Sequence, residues 1–474
     1  AQVGDSKDYD EEVKSVCPFC GVGCQISLKI KDNKVKWVDG IDGPANENRL
    51  CVKGRFGFDY IDHKHRLTKP LIRLENAPKG LNVDPGNPLT HFREASWEEA
   101  MDVAANGLKG RGREVAGFGS AKCSNEEAYL FQKFIRQGFG HNNVDHCTRL
   151  CHASSVAALM ENVGSAAVTA TFNEIENADV AIVIGSNPCG NHPVAATYFK
   201  QFAKRGGKLI IMDPRGQALT RHASHMLQFR PGADVSMLNA IMHVIVEEGL
   251  YDDDYVAKHT ENWEAQKEHL KDFTPEKMAP ICGIDAEMLR DVARTFAGGK
   301  AGMIFWGMGV SQHIHGTDNS RCLISLAFMT GNVGKPGAGL HPLRGQNNVQ
   351  GASDAGMIPM FLPDYQPVGD DGVRSAFTDV WKSGDFSSER GLTVVEIIED
   401  IHNNNTKAMY ILGENPAMSD PDVEHAREAL AKLDHLVVQD IFLTETANFA
   451  DVVLPASAFA EKTGTVTNTN RQVQ

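Results

Sequence analysis

The sequence predicts an α/β chain in which a small β-rich unit precedes doubly wound α/β domains, and three observations carry that expectation. Apolar strand-like runs at 180–184, 209–212 and 303–306 alternate with amphipathic helices up to about residue 345, and the alternation resumes from 392 to about 455. A strand running into Gly-x-Asn-Pro, then a helix, then a strand ending in Asp, occurs twice. Four of the ten cysteines crowd into the first 51 positions. At 474 residues the chain has room for roughly three domains of about 150 residues each.

Taken in order, the first 65 residues alternate Ile26, Leu28 and Ile30 with Ser27, Lys29 and Lys31. Asp32-Asn33 then turns the chain into a second strand around Val35 and Trp37. From Leu67 to His91 the composition, rich in Pro, Gly and Asn, predicts a connector. Capping boxes at Ser96/Glu99 and Ser124/Glu127 open two helices. The stretch 345–391 reads as loop, being rich in Gly, Asp, Pro and Ser.

Composition removes whole function classes. Acids outnumber bases 61 to 47, a net charge of −14, with no basic run, so nucleic-acid binding lacks electrostatic support. No run of 18 apolar residues is present to span a bilayer. The first sixteen residues carry five acids and no apolar core of an export signal, which reads as cytoplasmic. Ten cysteines are too sparse for a disulfide scaffold.

The repeat is specific in detail. Residues 181–188 read AIVIGSNP and 409–416 read MYILGENP. The first is followed by a helix with Val194, Ala195, Tyr198, Phe199 and Phe202 on one face. The second leads to a helix expected to open near Ser419-Asp420-Pro421, with Val423, Ala426, Leu430 and Leu433 on one face. The intervals Gly185 to Asp213 and Gly413 to Asp440 are 28 and 27 residues. Each unit has the form of a βαβ mononucleotide half, with a tight Gly turn to admit a phosphate and an acid at the next strand end for a ribose or base donor. Ordinary crossovers in which Gly-x-Asn-Pro merely turns the chain are the alternative.

Cys17, Cys20, Cys24 and Cys51 form C-x2-C-x3-C-x26-C. Three thiols in eight residues plus one beyond a hairpin suit a [4Fe–4S] cubane, whereas zinc sites favour two short pairs. Lys53, two residues past the last thiol, is a solvated charge or an electrostatic bridge to a second redox centre. The run 145–155, DHCTRLCHASS, packs Cys147, Cys151, His146, His152 and Arg149 together, followed by small residues suited to a helix start. Gln312 and His313 follow a Gly-Met-Gly turn. Arg344 stands among amides in the loop RGQNNVQG, where it is either solvated or a carboxylate clamp.

Together, the cysteine motif with Lys53, the pair Cys151-His152, both Gly-x-Asn-Pro units and Arg344-Gly-Gln-Asn-Asn-Val-Gln-Gly resemble the catalytic subunit of molybdenum- or tungsten-dependent formate dehydrogenases of the dimethyl sulfoxide reductase superfamily. The likeness runs from about residue 12 onward. It implies a bis(molybdopterin guanine dinucleotide) cofactor, molybdenum or tungsten, and one [4Fe–4S] cluster on the four N-terminal cysteines. By the same resemblance Cys151 is the metal ligand, His152 an acid/base or electrostatic group beside it, and Arg344 the clamp on formate. Lys53 lies between cluster and pterin. Gly185, Asn187, Asp213 and Arg215 serve one guanosine, and Gly413, Asn415 and Asp440 the other, with Gln312 and Gln346 as further cofactor contacts.

The superfamily's domains are interleaved, which implies a cluster domain at 1–66 with 456–474 returning to it, one α/β domain at 146–345, and a discontinuous one at 67–145 and 346–455. A further β-rich domain follows in the family, so a chain ending at Gln474 after EKTGTVTN is expected to be a fragment. Implied partners are formate or carbon dioxide, an electron-accepting iron–sulfur or flavin diaphorase subunit, and a cofactor-insertion chaperone. Nitrate reductases are the neighbouring alternative, but they resemble Cys-Met-Ala-Ser where this chain has Cys151-His152-Ala153-Ser154. A redox-inactive scaffold relative would have lost Cys151, His152 and Arg344. The remaining cysteines, Cys123, Cys147, Cys189, Cys282 and Cys322, read as reduced packing residues.

Overall fold

The computed structural model describes residues 8–474. At the N-terminus the strands Glu11–Val16, Gln25–Lys31 and Lys34–Gly40 form an antiparallel meander. Asp32 and Asn33, at φ +52° and +56°, make the two-residue turn between the last two strands. Both residue types tolerate the left-handed region, and a pair of them matches the right-handed twist of a hairpin.

Two larger sheets follow. The first has five parallel strands in the order His225–Leu227, Lys208–Met212, Val180–Ile184, Gly302–Trp306, Gly339–Pro342. Val180, Ile182 and Ile184 face a core built with the helices Ala153–Val163, Asp234–Glu247, Ala286–Ala297 and Gly316–Met329. Ala181 and Val183 face the opposite core, shared by the helix Pro193–Lys204 and by Val22, Ile26 and Leu28 of the N-terminal unit. Cover on both faces explains why the strand is apolar throughout. It also explains why the cysteine-bearing loop sits against this sheet.

The second sheet has seven strands in the order Phe92–Glu94, Leu71–Arg73, Val452–Pro455, His435–Asp440, Ala408–Leu412, Val115–Gly119, Val144–His146. The last five are mutually parallel, and the first two close the edge in antiparallel fashion. The sheet thus draws on two separated stretches of chain.

In each sheet the strand order reverses once. The reversal lies between Val180–Ile184 and Gly302–Trp306 in the first, and between Val115–Gly119 and Ala408–Leu412 in the second. Crevices beyond the carboxyl ends of strands at such reversals are where α/β folds bind ligands.

Several elements depart from the sequence expectation. The connector at 67–91 contains the strand Leu71–Arg73, second from the edge of the larger sheet. The stretch 345–391 holds the helices Val349–Asp354 and Asp371–Trp381, the latter started by Asp370, whose carboxylate accepts from Val373 N at 3.0 Å. Trp381 and Phe386 give that region a small core of its own. Between His225–Leu227 and Gly302–Trp306 the alternation gives way to five helices. The box at Ser124/Glu127 is complete, but at Ser96 only half forms because Glu99 turns to Arg93. No helix among the described residues is long and apolar enough to cross a membrane.

Candidate active site

The two Gly-x-Asn-Pro turns adopt one conformation. Gly185 and Gly413 have φ of +56° and +67°, and Asn187 and Asn415 each precede a four-residue helix that begins with proline. A Cβ on Gly185 would lie 2.7 Å from Val310 N, so glycine is what lets this turn meet the loop after Gly302–Trp306. The helix of the second unit begins at Val423 rather than near Ser419, capped by Asp422.

Each turn borders a cavity at its sheet's reversal. The first, about 650 Å³, is walled by Cys17, Cys20, Cys24, Cys51 and Lys53 on one side and by Gly185, Asn187, Asp213, Arg215 and Gln312 on the other. The second, about 930 Å³, is bordered by Gly413 and Asp440 together with Lys122 and an aromatic wall that includes Phe131 and Tyr410. Predicted residues remote in sequence therefore share two clefts.

The two halves are not chemically equivalent. Asn187 Oδ1 is buried without a partner, an acceptor aimed at something outside the chain. Asn415 is committed within the chain: its Oδ1 accepts from Thr446 N at 3.0 Å and Thr446 Oγ1 at 2.9 Å, and its Nδ2 donates to Glu445 at 2.7 Å. Asn415 thus braces its own loop through Oδ1 and one Nδ2–H, which Asn187 does not do. Asp213 is fixed by Arg215 N at 2.8 Å and Gln217 Nε2 at 3.1 Å. Burial pushes Asp440 up to about 6.

The N-terminal thiols are enclosed and crowd one another. Burial, then the neighbouring thiols, push Cys17 up to about 12, and Cys20 and Cys24 rise for the same reasons. Four thiolates become compatible there when cationic iron sits between them. No three His, Cys, Asp or Glu groups among the described residues converge closely enough for a single metal ion.

Cys151, His152 and Arg344 are all buried, and Leu343 and Gly345 on either side of Arg344 line the first cavity. Cys151 ends the short helix Thr148–Cys151; burial pushes its thiol up to about 11, and the charge of Arg344 opposes the rise. His152 is wholly enclosed: Nε2–H donates to Leu343 O at 3.2 Å, and Nδ1 faces Ser155 Oγ at 3.2 Å, which also accepts from Trp306 Nε1 at 2.8 Å. Burial holds His152 well below the usual histidine range, which favours the neutral imidazole that donates to Leu343 O.

Arg344 is 1% exposed. Its Nη2 donates to Ala166 O at 2.8 Å, while Nε and Nη1 have no partner. A buried cation with unpaired donors is costly unless an anion completes it. Its main chain is firmly held, N–H by Thr469 Oγ1 at 3.0 Å and carbonyl by His192 Nε2–H at 2.7 Å. That second bond leaves His192 Nδ1 unpaired on the first cavity's wall. Gln346 Nε2 contacts Cys147 Sγ at 3.4 Å, and Gln312 Nε2 donates to Leu150 O. Cys147 thus stands in the wall of the site, whereas Cys282 and Cys322 pack in the core.

Sequence reading missed Lys122, His192, Thr469 and Glu414. Lys122 donates to the carbonyls of Pro18 and Phe19, both at 2.9 Å, fastening the cysteine loop to the second sheet. Its position in the loop after Val115–Gly119, at a strand reversal, is the signal that could have marked it. Lys53 lines the first cavity but is exposed.

Glu414 accepts from Ser120 Oγ at 2.7 Å and lies against Cys147; burial pushes its carboxyl up to about 7 from 4.5. Between those values the folded chain keeps a proton that the unfolded chain has released, so stability falls as pH rises through the window. Glu414→Gln is expected to match the wild type near pH 4 and to melt higher than it at about pH 8. Equal melting temperatures at the higher pH would contradict the assignment.

Comparison with known proteins agrees with this geometry. The molybdopterin oxidoreductase model matches residues 66–474, and the molybdopterin oxidoreductase Fe4S4 domain matches residues 10–63. The chain belongs to the molybdopterin oxidoreductase family. Such membership brings a molybdopterin cofactor and a [4Fe–4S] cluster, for which the two cavities and the thiol cage have the required donors. The chain is 43% identical to the F420-dependent formate dehydrogenase subunit alpha of Methanocaldococcus jannaschii over 98% of its own length and 66% of that protein's. It is 37% identical to formate dehydrogenase H of Escherichia coli, over 98% and 65%. It thus spans about two thirds of the length of these relatives. Acetylene hydratase from Pelobacter acetylenicus has the same fold, with TM-score 0.78 at 21% identity over 95% of this chain and 64% of that one.

Proposed function

We propose that this chain is the catalytic part of a formate dehydrogenase, interconverting formate and carbon dioxide at a molybdenum or tungsten bis(molybdopterin guanine dinucleotide) centre. The observation that carries the reading is Arg344, a fully buried guanidinium with Nε and Nη1 unpaired beside the Cys151 thiol. The relatives' names support it, and His152 after the cysteine favours it over nitrate reduction.

When bound, the metal centre supplies a two-electron acceptor. The chain's residues do the rest. Arg344 holds formate by its oxygens and aims its C–H, a positioning and electrostatic role. Cys151 would ligate the metal. His152, neutral, sets the position of Leu343 and hence of Arg344. Cys17, Cys20, Cys24 and Cys51 would hold the cluster, which would serve as the electron outlet, with Lys53 beside it at the wall of the first cavity.

The cofactor's two nucleotide ends take the two cavities, with Gly185, Asn187, Asp213, Arg215 and Gln312 at one and Gly413, Asp440 and Lys122 at the other. The domains are then 1–66 with 456–474, 67–145 with 346–455, and 146–345. The acceptor is a partner iron–sulfur or flavin diaphorase subunit, or cofactor F420 as named for the M. jannaschii relative, and a chaperone inserts the cofactor.

Metal and iron analysis with a formate-dependent dye-reduction assay on the full-length enzyme tests the reading. Formate oxidation with Mo or W and iron bound is expected. Nitrate turnover without formate oxidation would overturn it.

A further inference from the structure

The residues between Cys17 and Cys20 are Pro18 and Phe19, and their loop borders both cavities, with Phe19 on the wall of each. A lysine from another part of the chain holds this loop. Lys122 follows the strand Val115–Gly119 of the seven-stranded sheet, and its Nζ donates to Pro18 O and to Phe19 O, both at 2.9 Å. Its remaining surface opens on the second cavity.

The side chain is aimed by its backbone. Lys122 N–H donates to Ser120 Oγ at 3.0 Å. Buried Asn348 fastens the residues on either side: its N–H donates to Ala121 O at 3.0 Å and its Nδ2 to Cys123 O at 2.8 Å. Such a mounting sets Lys122 apart from a solvated surface lysine. Nor does a carboxylate cancel its charge. Lys462, on the same cavity wall, is bonded to both oxygens of Glu127 at 2.6 Å, whereas Lys122 forms no salt bridge among the described residues. The charges that act on its ammonium are first the thiols of Cys20 and Cys17, then Cys147, and Glu414 last.

Covalent geometry limits how far this charge stands from the cysteine cage. The bonds from Phe19 O to Cys20 Sγ, added to the 2.9 Å hydrogen bond, keep Nζ within about 10 Å of that sulfur. At an effective dielectric constant of about 20, a unit charge at that distance changes a one-electron equilibrium roughly tenfold. Reduction adds one negative charge to a cluster whose thiolates are already negative, and net charge is among the terms that set its potential.

We propose that Lys122 is a redox-tuning cation of the [4Fe–4S] cluster. Its ammonium, carried by the second sheet, favours the reduced cluster and raises its midpoint potential. The inference rests on the reading of Cys17, Cys20, Cys24 and Cys51 as cluster ligands, and not on formate as the substrate.

The test is a redox titration followed by electron paramagnetic resonance on the full-length enzyme carrying Lys122→Met, Lys122→Gln or Lys122→Arg, with iron measured in each. The two neutral variants are expected to keep their iron and to lower the equilibrium constant for cluster reduction roughly tenfold, which places the midpoint about 59 mV more negative. Lys122→Arg retains the charge and is expected to fall between them and the wild type.

A neutral variant that keeps its iron and the wild-type midpoint overturns the inference. So does Lys122→Arg shifting as far as the neutral pair, since charge is then not the cause. Loss of iron from both neutral variants overturns it too, by making Lys122 a strut of the cage alone. Wild-type enzyme without a cluster signal defeats the reading of the four thiols and the inference with it. A cluster signal without formate oxidation defeats the formate reading alone, and the midpoints then decide for Lys122.

Discussion

Arg344→Met is expected to lower formate turnover by about 10²–10³ while raising the melting temperature of the anion-free protein. The first effect follows from losing the charge that orients and neutralises the substrate's carboxylate inside a water-poor site. The second follows from burial. Arg344 is 1% exposed and holds one side-chain hydrogen bond, to Ala166 O, so most of its desolvation is uncompensated until an anion binds. That imbalance shows as a guanidinium whose protonation is disfavoured by burial ahead of every favourable neighbour. Met fills a similar stem volume without the charge, and replacing buried charge by apolar side chains stabilises by on the order of 1–4 kcal/mol.

Scanning calorimetry with and without formate separates the two effects, because formate stabilises the wild type by mass action and leaves the variant unmoved. A variant that turns over formate within about tenfold of wild type removes Arg344 from the clamp. One that melts lower than wild type without anion refutes the burial argument.

The parts legible in the sequence were those whose signal is local. The turn at Asp32-Asn33, the central strand Val180–Ile184, the Ser124 capping box and both Gly-x-Asn-Pro turns depend on residues adjacent in the chain, and they appear as expected. The helix Asp371–Trp381 was hidden because its surroundings are rich in Gly, Asp and Ser, while its stability comes from Trp381 packing on Tyr129, 252 residues away.

The site was legible in its reactive groups and illegible in their supports. Cys151, His152 and Arg344 carry unusual chemistry in short motifs. Thr469 and His192 are ordinary residue types whose importance arises from tertiary contacts with Arg344. The repeat shows in equal backbone turns at Asn187 and Asn415, while the side-chain bonds of Asn415 to Thr446 and Glu445 are tertiary and have no signal in the motif.

Gly21→Ala is expected to disturb the iron cage and the substrate clamp together. Gly21 lies in the loop between Cys20 and Cys24, its N–H donates to Gly345 O at 2.9 Å, and its carbonyl accepts from Thr469 N at 2.7 Å. A Cβ built there would stand 2.3 Å from Arg344 O and 3.1 Å from Arg344 C. Both sides of the clash are backbone, so no rotamer relieves it, and one loop must move off the other. Overpacking of this kind costs about 1–3 kcal/mol.

The direction of the movement matters more than its energy. Shifting the cysteine loop pulls Cys20 and Cys24 out of register with Cys17 and Cys51. Shifting Arg344 strains its bonds to Thr469 and His192. Iron content is therefore expected to fall and KM for formate to rise in the same variant. Gly80→Ala, where a Cβ meets nothing within 4 Å, should change neither. Normal iron content with normal KM in Gly21→Ala would show that the two loops tolerate separation. A fall in iron alone would show that the clamp holds its place through Thr469 and His192 without the cysteine loop.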